Sequence, residues 1–432
     1  MISTDQNLQA FLVYIHGQSS SIHERLNQNW IADISEANDS HIKEYLELWC
    51  NIVAKGDWEK FKQRLAFDNL TIEKISSVLG AQGKYPANTP FPSWINTLKQ
   101  IIETASQLEF SQIPDNILNS VAIPFEPIYF PFCQVAWNQL NQLVNYDLNL
   151  LSEKAQLVLQ KQLINQLACI CSASLMDKFQ KFRATGNEMR DFLLIKLKGN
   201  NSKQKYHEFL ETLLSDGFIS LFQEYCVLGK LTSIAIDYWV ESTVEFIKRL
   251  ATDWQELEKT FATDKPLKEV ADLSLGLSDS HDRGRSVISL KFNTELKLIY
   301  KPRTVSLDVA FYNFLHWCNS ISNTIPLKIM KILDKSNYGW LEYIEFHPCQ
   351  DQNSVKSFYQ RSGMLIAIVY ALEGTDFHFE NLIANGEYPI LIDLEGLLQN
   401  RIKCINENKK NAVDLGNNII YESVLRIKYK RM

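Results

Sequence analysis

Asp376-Phe377-His378-Phe379-Glu380-Asn381, followed twelve residues after the asparagine by Asp393-Leu394-Glu395, is the stretch that decides how this 432-residue chain is to be read. A carboxylate, an imidazole, an amide and a further carboxylate pair stand there in a short span. Pro389-Ile390-Leu391-Ile392 forms a short apolar strand before Asp393, so that carboxylate is held rigidly at a strand end. An acid that takes a proton from a hydroxyl, with an amide five residues on and a carboxylate beyond a β-hairpin, suits phosphoryl transfer. Mg2+ there wants oxygen ligands: one or two carboxylates plus the phosphates themselves.

Upstream, the pattern after Asp264 changes period. Ser286 to Phe292 and Glu295 to Tyr300 alternate in polarity and are joined by a turn at Asn293-Thr294, which predicts a β-hairpin. A helix is expected from Leu307 to Ser320, strands from Lys328 to Leu333 and from Gly339 to Phe346, and a helix from Ser354 to Glu373. Strand, lysine-bearing strand, helix, two strands, helix, loop and hairpin is the order of a protein kinase's small lobe, hinge and first large-lobe helix. In that layout Lys301, closing the second strand, neutralises the ATP phosphates. Alone it would read as a solvent-facing lysine. Asp376 is the base for the attacking hydroxyl, and Asn381 with Asp393 holds Mg2+. Glu395 is a further metal carboxylate or one arm of a salt bridge. His378 is an acid or base, or a packing residue, and Arg303 touches phosphate or caps the next helix.

Before the first strand, Ser278-Asp279-Ser280-His281-Asp282-Arg283-Gly284-Arg285 stands where a kinase carries its glycine-rich loop. The glycines are replaced by acid-base residues. Asp279 and His281, two apart in a loop, form a proton shuttle if both face a cleft and a polar turn if they do not.

The first half is helix-rich, with apolar residues recurring at three and four and Trp30, Trp49, Trp58 and Trp94 as packing anchors. Helices are expected from Tyr206 to Phe222 and from Leu231 to Phe246. Proline clusters at 85–92 and 123–131 break it, with Ser93 as the expected N-cap of the helix at Trp94. The reading is α+β: a helix-rich N-terminal scaffold over 1–115, then 116–432 with a kinase-like core at about 275–400, built as a small lobe with an antiparallel sheet and the start of a helical large lobe. Forty-four Lys and Arg against 50 Asp and Glu give a net charge of −6, too mixed to argue for nucleic acid or a membrane surface. No apolar run reaches the roughly 18 residues of a membrane span, and the start lacks a signal-peptide profile, so a cytoplasmic protein is expected. The eight cysteines form no C-x-x-C, and Cys169 and Cys171 read as buried free thiols.

With these residues in view, the sequence resembles the N-terminal dehydratase region of the class II lanthipeptide synthetases, the LanM enzymes. The resemblance is carried by Asp279-Ser280-His281, Gly284-Arg285-Ser286-Val287, the run Lys297 to Arg303, Tyr338-Gly339-Trp340, the run Phe358 to Gly363, the run Gly374 to Ala384, and the run Leu391 to Glu395. It implies ATP- and Mg2+-dependent phosphorylation of Ser and Thr in a leader-bearing precursor peptide, then elimination to dehydroalanine or dehydrobutyrine. It assigns Asp279 and His281 to elimination, and Lys301, Asp376, His378, Asn381, Asp393 and Glu395 mainly to phosphorylation.

In the family more dehydratase residues and a zinc-dependent cyclase follow the point where this chain runs into Ile427-Lys428-Tyr429-Lys430-Arg431-Met432. The expectation is therefore a C-terminally incomplete dehydratase without cyclase activity, with apolar surface left uncovered: either the product of a truncated or frameshifted gene, or a half whose C-terminal half or cyclase is encoded separately. A non-catalytic remnant that binds ATP or the leader peptide, and a kinase-only fragment without elimination, stand beside the dehydratase reading.

Overall fold

The computed structural model describes residues 5–27, 30–33, 39–79, 82–86, 88–118, 122–184, 201–262, 265–277, 282–321, 324–398, 416, 419 and 423–428. Packing divides the chain into two units, residues 1–148 with 159–247 and residues 149–158 with 248–432. The division at 247/248 falls inside a helix, away from 115/116. The proline clusters at 85–92 and 123–131 both fall within the first unit.

The first unit opens with helices α1 (Asp5–Gln18) and α2 (Ile22–Asn27), strand β1 (Ile31–Asp33), helices α3 (Asp39–Ala54), α4 (Trp58–Phe67) and α5 (Ile72–Ser76), and strand β2 (Gln82–Lys84), which pairs antiparallel with β1. Helices α6 (Ser93–Gln107), α7 (Asp115–Leu118), α8 (Phe130–Val144), α9 (Glu153–Ala184), α10 (Asn201–Ser215), α11 (Ile219–Glu224) and α12 (Cys226–Phe261) follow. In α6, Trp94, Ile95, Leu98, Ile101, Ile102 and Ala105 recur at helical spacing and are all buried. Ser93 is not its N-cap: Pro92 is, and the Ser93 hydroxyl reaches Asp237 instead, at 3.4 Å. The cluster at 85–92 lines a cavity of about 630 Å³ with His16, whose ring stacks on Tyr85 at 4.1 Å. On α9 both thiols are free, but only Cys171 is buried; Cys169, two residues away, turns to solvent as helical geometry requires.

The second unit is built on a five-stranded antiparallel sheet of β3 (Val270–Ser274), β4 (Ile288–Phe292), β5 (Lys297–Lys301), β6 (Ile332–Asp334) and β7 (Gly339–Glu342), in the order β3-β4-β5-β7-β6. Helix α13 (Ser306–Ile321) follows β5, and α14 (Gln352–Ala371) follows β7. A second ribbon, β8 (Leu382–Asn385) with β9 (Tyr388–Leu391), lies beyond the Asp376 loop. The architecture is α+β and helix-rich, as the sequence indicates.

Alternation along β5 gives its side chains two destinations. Leu298 and Tyr300 turn one way. Tyr300 accepts a 2.6 Å hydrogen bond from Arg249 near the end of α12, and the wholly buried Asp253 of the same helix accepts from Tyr338 at 2.9 Å and Trp340 at 2.8 Å. Lys335 closes this network with a 3.0 Å ion pair to Asp253. Ile299 and Lys301 turn the other way, toward a core of Val305, Phe311, Leu315, Leu341, Leu365, Val369, Phe377 and Leu391. That core joins the sheet, α13, α14 and the β8–β9 ribbon, and so fixes where the lysine strand meets the Asp376 loop. Along α14, Val355, Tyr359, Ile366 and Tyr370 share one face and are exposed.

Candidate functional site

Lys301 is nearly sealed from solvent, and its ammonium is held twice: by Asp308 in the first turn of α13 at 2.9 Å and by the carbonyl of Ile392 at 3.0 Å. Burying this charge requires such a partner. Ile392 in turn donates its N–H to the carbonyl of Asn381 at 3.1 Å, across the start of the β8–β9 ribbon. One residue therefore connects the lysine strand to the backbone of Asn381 at the end of the Asp376 loop, and the next residue along is Asp393. The solvent-facing reading of Lys301 is excluded.

The Asp376 loop is fixed from three sides. Phe377 is buried in the core, and its N–H donates to the carbonyl of Ile427 at 2.7 Å, so the short helical turn Val424–Lys428 braces the loop. Thr375 donates its N–H to the Gly396 carbonyl at 2.9 Å, which places the residue before Asp376 beside the residue after Glu395. That approach needs a glycine: a Cβ on Gly396 would stand 1.9 Å from the Thr375 oxygen. Asp376 itself adopts φ +65°, a left-handed conformation that few L-residues occupy, and Asp is among those that tolerate it.

Within the loop, Asn381 donates its side-chain N–H to the Asp376 carbonyl at 2.9 Å, which leaves the amide oxygen as the end available to a cation. His378 caps the turn Phe379–Asn381. Its Nδ1 accepts the Glu380 backbone N–H at 3.3 Å, so the proton belongs on Nε2, which faces Asp376 Oδ1 at 3.5 Å. His378 thus packs the loop with its Nε2 edge turned toward Asp376.

Arg303 neither caps α13 nor stands alone. Its Nε lies 2.7 Å from Glu395 Oε1 and its Nη2 3.5 Å from Asp393 Oδ1, and the same Asp393 oxygen accepts the Glu395 N–H at 3.2 Å. Two cations, Lys301 and Arg303, thus meet three carboxylates, Asp308, Asp393 and Glu395, while Asp376 and Glu380 flank the His378 imidazole. Such a site admits a polyphosphate only together with added positive charge. Its donor set of Asp393, Glu395 and the Asn381 amide oxygen suits a hard divalent ion that retains other oxygen ligands. No cluster of three or more His, Cys, Asp or Glu able to hold a metal occurs among the described residues.

The linker after β7 is tied to the ribbon. His347 donates to Ala384 at 2.9 Å, Gly386 to His347 at 2.8 Å, and the Asn385 side chain to Glu345 at 2.8 Å. A cavity of about 430 Å³ opens beside it, lined among others by Lys297, Lys328, Lys331, Tyr343 and Asn385. The structure brings Lys301, Asp376, His378, Asn381, Asp393 and Glu395 together; Asp279 and His281 lie outside the described residues. Asp308, Gly396 and Ile427 emerge only from the structure. A signal existed for Asp308, a carboxylate one turn into the helix that follows the lysine strand.

Residues 225–429 match the family described as "Domain of unknown function (DUF4135)", a span that includes every site residue named above. The chain is also 30% identical over 250 residues, 55% of its length, to the Lacticin 481/lactococcin biosynthesis protein LcnDR2 of Lactococcus lactis subsp. lactis. That match spans 26% of the relative's length. The resemblance to the lanthipeptide synthetases is borne out by this relative. No helix among the described residues is long and apolar enough to cross a membrane.

Proposed function

We propose that this chain acts in lanthipeptide biosynthesis, transferring the γ-phosphoryl group of ATP to Ser and Thr of a leader-bearing precursor peptide and then eliminating the phosphate to leave dehydroalanine or dehydrobutyrine. The observation that carries the reading is that the Lys301 ammonium and the Asn381 backbone carbonyl both bond Ile392, the residue before Asp393, beside the carboxylates Asp308, Asp393 and Glu395. The order of lysine strand, helix, strap, helix, loop and ribbon supports a kinase-like core.

In this reading Asp376 accepts the proton of the attacking hydroxyl, and the Nε2–H of His378 keeps its carboxylate oriented. Lys301, held in place by Asp308 and the Ile392 carbonyl, supplies positive charge for the phosphates. Bound by Asp393, Asn381 and Glu395, Mg2+ would neutralise the charge of the phosphate oxygens. Elimination requires a base for the α-proton and an acid or cation for the departing phosphate, and the resemblance assigns Asp279 and His281 to that step. In this reading the protein works in the cytoplasm.

The test is mass spectrometry of a Ser/Thr-rich leader-bearing peptide after incubation with the protein, ATP and Mg2+. Loss of one water per modified residue is expected. Gain of phosphate without that loss would reduce the chain to a kinase, and an unchanged peptide in the presence of folded protein would reduce it to a binding module.

A further inference from the structure

We propose that Arg303 is a resident counter-ion of the metal-binding carboxylates, a cation in place that a divalent ion must displace and that then turns to the nucleotide phosphates. The inference rests on the metal and nucleotide roles proposed above and concerns what controls their occupancy.

One guanidinium spans both carboxylates, 2.7 Å from Glu395 and 3.5 Å from Asp393. It therefore supplies the positive charge these ligands require while no metal is there. Lys301 cannot exchange partners in the same way: its side chain is 7% exposed, and leaving Asp308, 4% exposed, would strand a buried carboxylate. The Arg303 side chain is 34% exposed and its two partners 44% and 52%, so releasing them leaves every group hydrated. Pro302 fixes the backbone between Lys301 and Arg303, so the guanidinium pivots from a stub anchored to the buried lysine. A guanidinium's fork matches phosphate oxygens as well as it matches carboxylates. A nucleotide arriving with its metal therefore permits an exchange in which the metal takes the carboxylates and Arg303 takes phosphate oxygen.

The arrangement makes metal and nucleotide binding mutually dependent. Without nucleotide, the metal competes with a tethered cation; with nucleotide, that cation has somewhere to go. Removing Arg303 should shift the two affinities in opposite directions, a signature that loss of a merely structural salt bridge would not give.

The experiment titrates Mn2+ alone against the full chain, following free Mn2+ by electron paramagnetic resonance, and separately titrates a fluorescent non-hydrolysable ATP analogue at saturating Mn2+. Arg303→Ala and Arg303→Gln should each bind Mn2+ about tenfold more tightly than the unaltered protein, equal to ~1.4 kcal/mol, and the analogue about tenfold more weakly. Arg303→Lys, which keeps the charge, should stay near the unaltered value for Mn2+. Asp393→Ala should lose Mn2+ binding in the same titration. If Asp393→Ala loses Mn2+ while both neutral Arg303 variants bind it no more tightly, the counter-ion inference fails and the metal site stands. If Asp393→Ala binds Mn2+ as the unaltered protein does, the metal site fails and the inference with it.

Discussion

Replacing Gly396 with alanine adds one carbon at the point where the loop carrying Asp393 and Glu395 meets the loop carrying Asp376. That carbon would lie 1.9 Å from the Thr375 oxygen and 3.0 Å from its carbonyl carbon, and both are backbone atoms that no rotamer change can move. Carbon meets a carbonyl oxygen at about 3.3 Å, so the two segments must separate by roughly 1 Å or more. The 2.9 Å hydrogen bond from Thr375 to Gly396 would then be lost. Overpacking of this kind costs about 1–3 kcal/mol and an unmade, partly buried hydrogen bond about 1 kcal/mol more, which predicts a loss of ~2–4 kcal/mol in stability. The functional cost is separate: a 1 Å misplacement of groups that must align can lower the rate about a hundredfold. Urea unfolding of Gly396→Ala, read beside phosphoryl transfer at a urea concentration where both proteins are folded, measures the two effects. A variant within 0.5 kcal/mol of the parent and with undiminished transfer would refute the claim that this contact sets the spacing of the two loops.

Asp308→Ala should destabilise by about 3–5 kcal/mol in urea unfolding because it leaves the Lys301 ammonium buried and unpaired, and Lys301→Met combined with Asp308→Leu should recover most of that loss. His378→Phe, which keeps the ring but removes Nε2, should lower the rate of phosphoryl transfer with little change in nucleotide affinity, a split that nucleotide titration and initial rates would reveal. Burial holds the His16 imidazole below its ordinary pKa, with Lys230 acting in the same direction and Glu24 opposing. The unfolded chain then binds a proton that the folded chain refuses. Stability should therefore fall as pH drops through about 6.5, and His16→Phe should flatten that part of the melting-temperature profile. His281→Ala should let phosphopeptide accumulate in the peptide assay, and an unchanged product ratio would remove it from the elimination step.

The sequence was most legible where one face of an element is buried and its period is unbroken. The β4–β5 hairpin, α13 and α14 lie within two residues of their expected ends; β4 starts two residues late at its outer end, at Ile288, and β5 two residues late at its turn end, at Lys297. Strand β3 was missed because a register shift between Val270 and Asp272 interrupts its alternation. The helix expected from Tyr206 to Phe222 is two, since Gly217 and Phe218 both take left-handed φ values that end α10 and start α11. The strand expected to reach Phe346 stops at Glu342, because the residues beyond pair with the β8–β9 ribbon, a partnership invisible in local periodicity. In the site, spacing identified the chemistry-bearing residues of one loop and one strand end. It could not reveal that Asp308 neutralises Lys301, or that Arg303 bridges Asp393 and Glu395, because those pairings depend on how the sheet, α13 and the loop after β9 pack.

The most direct test of the account is transfer of labelled phosphoryl group from ATP to a leader-bearing Ser/Thr peptide by the unaltered protein and by Asp393→Ala, each first shown to be folded by cooperative unfolding. Label should reach the peptide, or be released from it as phosphate with loss of water, only with the unaltered protein. Equal transfer by Asp393→Ala would contradict the placement of phosphoryl-transfer chemistry at the junction of Lys301, Asn381 and Asp393.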